Sequence, residues 1–172
     1  VRDEAIALSN RALINRILGQ FDPAMEDYKK ALELYRTAKF NEGTASCYLG
    51  LGKLYEVRDN DFKKAFEYYT KALDIYKELG NLGYQAEALN QIGRVLKKSI
   101  NPARTTRDLV YVEEEPAFAM DPATAATESV KAYTAALELG ELTGRSEVIW
   151  AALQGLGFAL KEQGDFLGAF EN

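Results

Sequence analysis

Cys47, the stretch Gly50-Leu51-Gly52-Lys53 and the run Glu113-Glu114-Glu115 hold the residue types that could do chemistry: a thiol, a phosphate cradle and a set of carboxylate ligands. Each falls short of what its chemistry needs. A thiol nucleophile wants a base beside it, and the chain has no histidine, which removes the usual general base, nucleophile activator and metal ligand together. Cys47 therefore reads as a small buried side chain. The glycine pair lacks the Gly-x-x-x-x-Gly-Lys-Ser/Thr spacing of a phosphate loop and reads as helix packing. Adjacent carboxylates with no other clustered ligand read as a solvated acidic loop. No catalytic residue, metal or cofactor is expected, and the chain is expected not to be an enzyme.

The elements that would have to position any site emerge from self-comparison. Asp27-Tyr28-Lys29-Lys30-Ala31-Leu32-Glu33-Leu34-Tyr35 recurs as Tyr68-Tyr69-Thr70-Lys71-Ala72-Leu73-Asp74-Ile75-Tyr76 and again as Ala132-Tyr133-Thr134-Ala135-Ala136-Leu137-Glu138-Leu139. Aligning Ala31 with Ala72 gives a period of about 41 residues, the signature of stacked supersecondary units. A second element alternates with these segments: Leu49-x-x-Gly52-x-x-Tyr55 and Leu89-x-x-x-Gly93-x-x-Leu96 precede the second and third, and Leu153-x-x-x-Gly157-x-x-Leu160 follows the third. Apolar residues and Gly at three- and four-residue intervals put each element on one face of a helix. Gly19, Gly80, Gly144 and Gly164 punctuate helix ends, and Asp22-Pro23 and Asp121-Pro122 each read as an N-cap followed by a first-turn proline. The expected helices lie near 4–18, 22–40, 43–58, 62–79, 83–99, 122–143 and 147–163, with an eighth from about Phe166.

Gly164-Asp165-Phe166-x-x-Ala169 and the Gly-x-x-Tyr/Leu elements resemble the tetratricopeptide repeat family, over the whole chain except an insert. The usual family unit is about 34 residues, so the longer period resembles the long-helix variety seen in kinesin light chains and Pins-type polarity adaptors. The first repeat departs from the pattern with Ala12 in place of Gly, and Leu153 stands where the family puts a large aromatic, three residues after Trp150. The resemblance implies an all-α, right-handed superhelical stack of antiparallel hairpins. It would form one solenoid over 1–172, with repeats at about 4–42, 43–82, 83–145 and an incomplete 147–172.

In such stacks the first helix of each hairpin lines the concave face. Counting three before, one after and four after the periodic small residue gives Ser9, Leu13 and Arg16; Leu49, Lys53 and Glu56; Asn90, Arg94 and Lys97; Gln154, Phe158 and Lys161. Five of these twelve are basic and one is acidic, where the chain's 21 Lys and Arg in 172 residues would give about one and a half. The groove is thus expected to be positive and to bind an acidic protein or peptide segment. Arg16, Lys53, Arg94, Lys97 and Lys161 would supply the charge, Asn90 and Gln154 hydrogen bonds, and Phe158 an apolar contact. The alternative for this pattern is a solvated helix face. The terminal-carboxylate clamp of chaperone-binding repeats is not implied, because Ser9 and Leu13 do not match it.

The interval from Ala72 to Ala136 exceeds that from Ala31 to Ala72 by more than half, and the excess falls at 99–121. There Leu109-Val110-Tyr111-Val112, apolar and strand-prone, runs into Glu113, Glu114 and Glu115. Tyr111 and the three glutamates are expected either to fold back on the groove or to add a contact to the partner, the alternative being a loose loop. The pattern also breaks off after Phe166-Leu167-Gly168-Ala169-Phe170, so the chain is expected to be part of a longer protein and could self-associate through that incomplete repeat.

Composition narrows the partners. A formal charge of −5 argues against phosphate-backbone binding, hence against nucleic acid. No apolar run approaches the roughly 20 residues of a membrane span, so no membrane association is expected. One cysteine with no possible intrachain disulfide fits a reducing compartment, the cytoplasm. A second function class stays open: a regulatory or sensory repeat segment of a larger enzyme or signalling protein.

Overall fold

The computed structural model describes residues 1–100, 120 and 122–162. Seven helices account for nearly all of them: α1 (Arg2–Ile17), α2 (Phe21–Thr37), α3 (Asn41–Arg58), α4 (Phe62–Glu78), α5 (Leu82–Ile100), α6 (Pro122–Thr143) and α7 (Ser146–Glu162). There is no strand among the described residues. The helices pair as antiparallel hairpins of the tetratricopeptide type, α1 with α2, α3 with α4 and α5 with α6. The chain divides into two compact units, Val1–Asn81 and Leu82–Asn172.

The helix ends show why the hairpins form where they do. In the first unit a residue with positive φ follows every helix: Gly19 (75°), Lys39 (51°), Asn60 (50°) and Gly80 (64°). Gly144 (66°) does the same after α6. At four of these ends the next amide reaches back five residues to a helical carbonyl: Gln20 to Asn15, Phe40 to Tyr35, Asn81 to Tyr76 and Arg145 to Gly140, at 2.8 to 3.0 Å. This left-handed cap satisfies carbonyls that the helix end would leave orphaned and turns the chain back on itself. Gly19, Gly80 and Gly144 were legible as stops. Lys39 and Asn60 adopt the same conformation without the glycine that announces it.

The expected cap at Asp22 is displaced. Helix α2 begins one residue earlier, at Phe21, with Gln20 before it. Asp22 instead sits in the first turn, where the positive helix end favours a carboxylate, and meets Arg58 at 2.7 Å. Pro122 does open α6, while Asp121 lies outside the described residues. An unexpected cap occurs at Asp61, whose carboxylate accepts the Lys64 amide at 2.9 Å.

Tyrosines packed on glycines make the core. In the first unit Ala5, Ala12, Met25, Tyr28, Ala31, Tyr35, Cys47, Leu51 and Leu54 form one cluster. Ala31, Ala72 and Ala136, the repeating small residues, are all fully buried. Three residues before each stands a buried tyrosine, Tyr28, Tyr69 and Tyr133. The Tyr69 ring lies against Gly52 of its own hairpin. Tyr28 lies against Gly50 of the following hairpin, and Tyr133 touches both Gly93 of its own hairpin and Gly155 of α7. Gly50 and Gly52, two residues apart on α3, thus receive the rings of two successive hairpins. An Arg11–Asp27 pair ties α1 to α2 through two hydrogen bonds of 2.7 Å.

Candidate functional site

A cleft of about 200 Å³ opens in the second unit between α5 and α7, with α6 beneath it. Helix α5 supplies Asn90, Gln91, Arg94 and Lys97; α7 supplies Ala151, Gln154, Gly155 and Phe158; Tyr133 of α6 forms the floor. These positions follow from helical geometry: 90, 94 and 97 recur at one turn each and share a face, as do 151, 154, 155 and 158. Ser129, fully buried on α6, donates to the Gly93 carbonyl at 3.2 Å and fixes α6 against α5 at this level. Gly155 has no side chain because the Tyr133 ring occupies that space. The volume suits one or two side chains and lies below the roughly 300–1,000 Å³ of a small-molecule site.

The polar groups of the cleft are of two kinds. Arg94 and Lys97, both half-buried, bring cationic donors. The Lys97 ammonium rests 4.3 Å from the centre of the Phe158 ring, a cation–π contact that holds the charge over the cleft wall. Acceptors stand beside them. Asn90, only 7% exposed, uses its Nδ2 to donate to the Val148 carbonyl at 3.1 Å. Its Oδ1 and the Oε1 of Gln91 are buried and accept no hydrogen bond among the described residues.

Five of the eight residues expected to bind a partner, Asn90, Arg94, Lys97, Gln154 and Phe158, thus line one cleft. Lys161 is exposed near the end of α7 and is not part of its wall. Arg16 and Lys53 belong to the first unit. Arg16 hydrogen-bonds the Tyr28 hydroxyl, whose pKa burial pushes up and this contact moderates; Lys53 is half-buried on α3. Three of the counted positions are buried instead, Asn90 among them. Leu49 is 6% exposed, and Glu56 is 2% exposed and accepts the Tyr69 hydroxyl at 3.0 Å. The first unit presents Tyr69 at that level of α3, and a hydroxyl so buried calls for an acceptor. Tyr111, Glu113, Glu114 and Glu115 lie outside the described residues, as does the helix expected from Phe166.

Gln91, Tyr133 and Gly155 escaped the sequence reading. Tyr133 repeats Tyr28 and Tyr69 in register, and Gly155 repeats Gly50, so both carried a signal in the period. Gln91 carried none. Elsewhere, Cys47 is fully buried and burial alone pushes its thiol up to about 12, so almost none is thiolate at neutral pH. Gly50 and Gly52 lie within α3 and receive the rings of Tyr28 and Tyr69.

Helical hairpins repeated along the chain, with left-handed caps after α1, α2, α3, α4 and α6 and with tyrosines packed on glycine, define an all-α helical-repeat fold. The tetratricopeptide repeat family profile matches residues 3–78. Repeats of this family generally mediate protein–protein interaction. Among solved structures the chain is similar to BtubC (BKLC) from P. vanneervenii, at 16% identity and a TM-score of 0.47 over 98% of this chain. The chain spans 66% of that chain's length. No curated protein matches the sequence. No helix among the described residues is long and apolar enough to cross a membrane.

Proposed function

We propose that this chain is a non-catalytic protein-binding module and that the cleft between α5 and α7 holds an acidic segment of its partner. The observation that carries this reading is the pairing of Arg94 and Lys97 with the Asn90 and Phe158 side chains in one cleft sized for a side chain. A carboxylate entering there would meet a guanidinium able to bind it through two donors and an ammonium already desolvated on one side. Phe158, 52% exposed, offers apolar surface to the aliphatic part of the same residue. The acidic net charge of the whole chain does not oppose this, since a local field governs encounter at a cleft.

The test is an NMR titration of the isotopically labelled protein with the peptide acetyl-Ala-Ala-Glu-Ala-Ala-amide and with its Gln counterpart. The Glu peptide is expected to shift signals of residues 90–97 and 151–158, more strongly at low salt than at high. Reversing Arg94→Glu and Lys97→Glu together is expected to keep the helical circular dichroism and to weaken the Glu peptide by about tenfold or more, the scale of a lost charge-assisted contact. Equal binding of the Glu and Gln peptides, or of the parent and the reversed variant, would sink the acidic assignment.

A further inference from the structure

We infer that α7 carries a self-association seam, through which two copies of this chain pair as antiparallel helices about a two-fold axis. The seam lies on another face of α7 than the cleft and stands independently of the reading proposed for it.

Trp150, Leu153, Gly157 and Leu160 recur at intervals of three, four and three residues, the a and d spacing of a coiled-coil seam. All four are exposed, whereas Val148, Ala152, Gly155 and Ala159, on the opposite side of the helix, are buried. Trp150, the chain's one tryptophan, is 73% exposed. Gly50, Gly52, Gly93 and Gly155 each receive a tyrosine ring, but no described residue lies within 4 Å of where a Cβ on Gly157 would stand. A bare ring and an open hollow thus share one apolar stripe, the kind of patch that marks an interaction surface. Seven residues, or about 10 Å, separate them along the helix, so they can meet only across two copies.

Side-chain size and charge select the orientation. In a parallel pair Trp150 would face Trp150 and Gly157 would face Gly157, bulk against bulk and gap against gap. Reversed about an axis near residue 155, Trp150 comes opposite Leu160 and Leu153 opposite Gly157. Each indole then enters a hole bounded by Gly157 and Leu160 of the second copy. The flanks agree with that register. Glu147 and Lys161, both exposed and two heptads apart, hold equivalent places beside the seam, and in an antiparallel pair such places meet across the axis. Each Glu147 stands beside Lys161 of the second copy, whereas within one copy the two are about 21 Å apart along the helix and cannot touch. Arg145 contacts Glu147 at 2.8 Å, and a carboxylate has acceptor sites left for a second cation. Exposed ion pairs add little affinity, so they set direction while the apolar stripe supplies the attraction. Because the same patch meets itself, the assembly closes at two copies. Helix α7 has 17 residues and is about 25 Å long. Two such strips bury on the order of 1,000 Å² in total, the low end of specific interfaces, which makes the dimer a reversible one.

The test follows the whole chain by sedimentation velocity and by the emission of Trp150. Between about 5 µM and about 1 mM protein, the mean mass is expected to rise from 19.2 kDa toward twice that value, with the emission moving to shorter wavelength in step. Trp150→Ala and Gly157→Leu, which fills the hollow, change exposed positions and are each expected to weaken the dimer at least about tenfold. Glu147→Lys and Lys161→Glu are each expected to weaken it at least about threefold. The double variant is expected to return to within about twofold of the parent, because the charges have only exchanged places. Far-ultraviolet circular dichroism checks that each variant keeps its helicity. A mass fixed at 19.2 kDa at the highest concentration overturns the proposal. So does a Trp150 already shielded from acrylamide in the monomer, since the chain would then cover its own seam. A dimer indifferent to Trp150→Ala and Gly157→Leu uses another surface, and a double variant no stronger than the singles overturns the antiparallel register.

Discussion

Gly52→Ala isolates the tyrosine-on-glycine contact on which the repeat packing depends. A methyl built at Gly52 would lie 2.6 Å from Cε1 and 2.7 Å from Cδ1 of Tyr69, about an ångström inside normal carbon–carbon contact. Tyr69 cannot easily withdraw, because it is fully buried and its hydroxyl is held by Glu56 at 3.0 Å. In an open helix, Gly→Ala would stabilise by about 1 kcal/mol through backbone propensity. Overpacking costs about 1–3 kcal/mol, so against the propensity gain the steric cost is expected to leave a net loss of up to about 2 kcal/mol. For a chain of this size that lowers the thermal midpoint by up to about 8 °C, read by circular dichroism with native helicity retained at low temperature. Tyr69→Leu should loosen the site, and in a double-mutant cycle the Gly52→Ala penalty should shrink by at least half in that background. A midpoint equal to or above the parent's would refute the argument, because propensity alone would then govern the position.

Other positions give separate tests. Ala72→Leu, at a fully buried site of the repeat, should cost about 1–3 kcal/mol by overpacking, measured by urea denaturation. Lys39→Gly should stabilise by up to about 1 kcal/mol, since the residue already sits at φ 51° where a Cβ is strained; the same melts check it. The Arg11 guanidinium holds the Asp27 carboxyl below its ordinary range, chiefly by hydrogen bonding against the cost of burial. A folded pKa below the unfolded value of about 3.9 means the pair stabilises fully above that pH and progressively less as pH falls through the folded pKa. Asp27→Asn should therefore flatten the fall in stability between about pH 4 and pH 2, read from denaturation midpoints across that range. Cys47 should resist Ellman's reagent in the native protein and react fully in denaturant.

The helices were legible because two periodicities agree: apolar spacing of three and four within a helix, and the recurrence of whole hairpins at the Ala31-to-Ala72 interval. All seven fall within a few residues of where that pattern put them. The boundary at α2 was misread for a physical reason. Asp22-Pro23 carries a strong local cap signal, yet the left-handed Gly19 turn sets the register, and helix starts one residue before Asp22. The left-handed Lys39 was invisible because its conformation is imposed by the hairpin rather than by the side chain, and Asn60 carries only the weaker signal of an asparagine. For the site, counting from the periodic glycine picked out residues of α5 and α7 that line one cleft, but could not tell exposure from burial. Leu49, Glu56 and Asn90 obey the same count as Lys53 and Arg94, and what separates them is which tyrosine or carbonyl lies opposite.

That opposition also explains how a packing rule shapes the cleft. The repeat requires a tyrosine on the second helix of each hairpin and a residue without a side chain where the ring meets a first helix. In the second unit Tyr133 satisfies this against Gly93 and Gly155 together. Because Gly155 carries no Cβ, α7 can approach the ring, and the neighbouring Gln154 and Phe158 are brought opposite Arg94 and Lys97. The same approach brings the Val148 carbonyl within reach of Asn90 and so consumes the donor end of that amide. Asn90's polarity is then a consequence of the spacing between α5 and α7. A substitution that forces the helices apart, such as Gly155→Ala against the Tyr133 ring, should release the Asn90 amide from Val148. On the proposed reading of the cleft, it should also weaken binding of the Glu peptide although neither Arg94 nor Lys97 is changed.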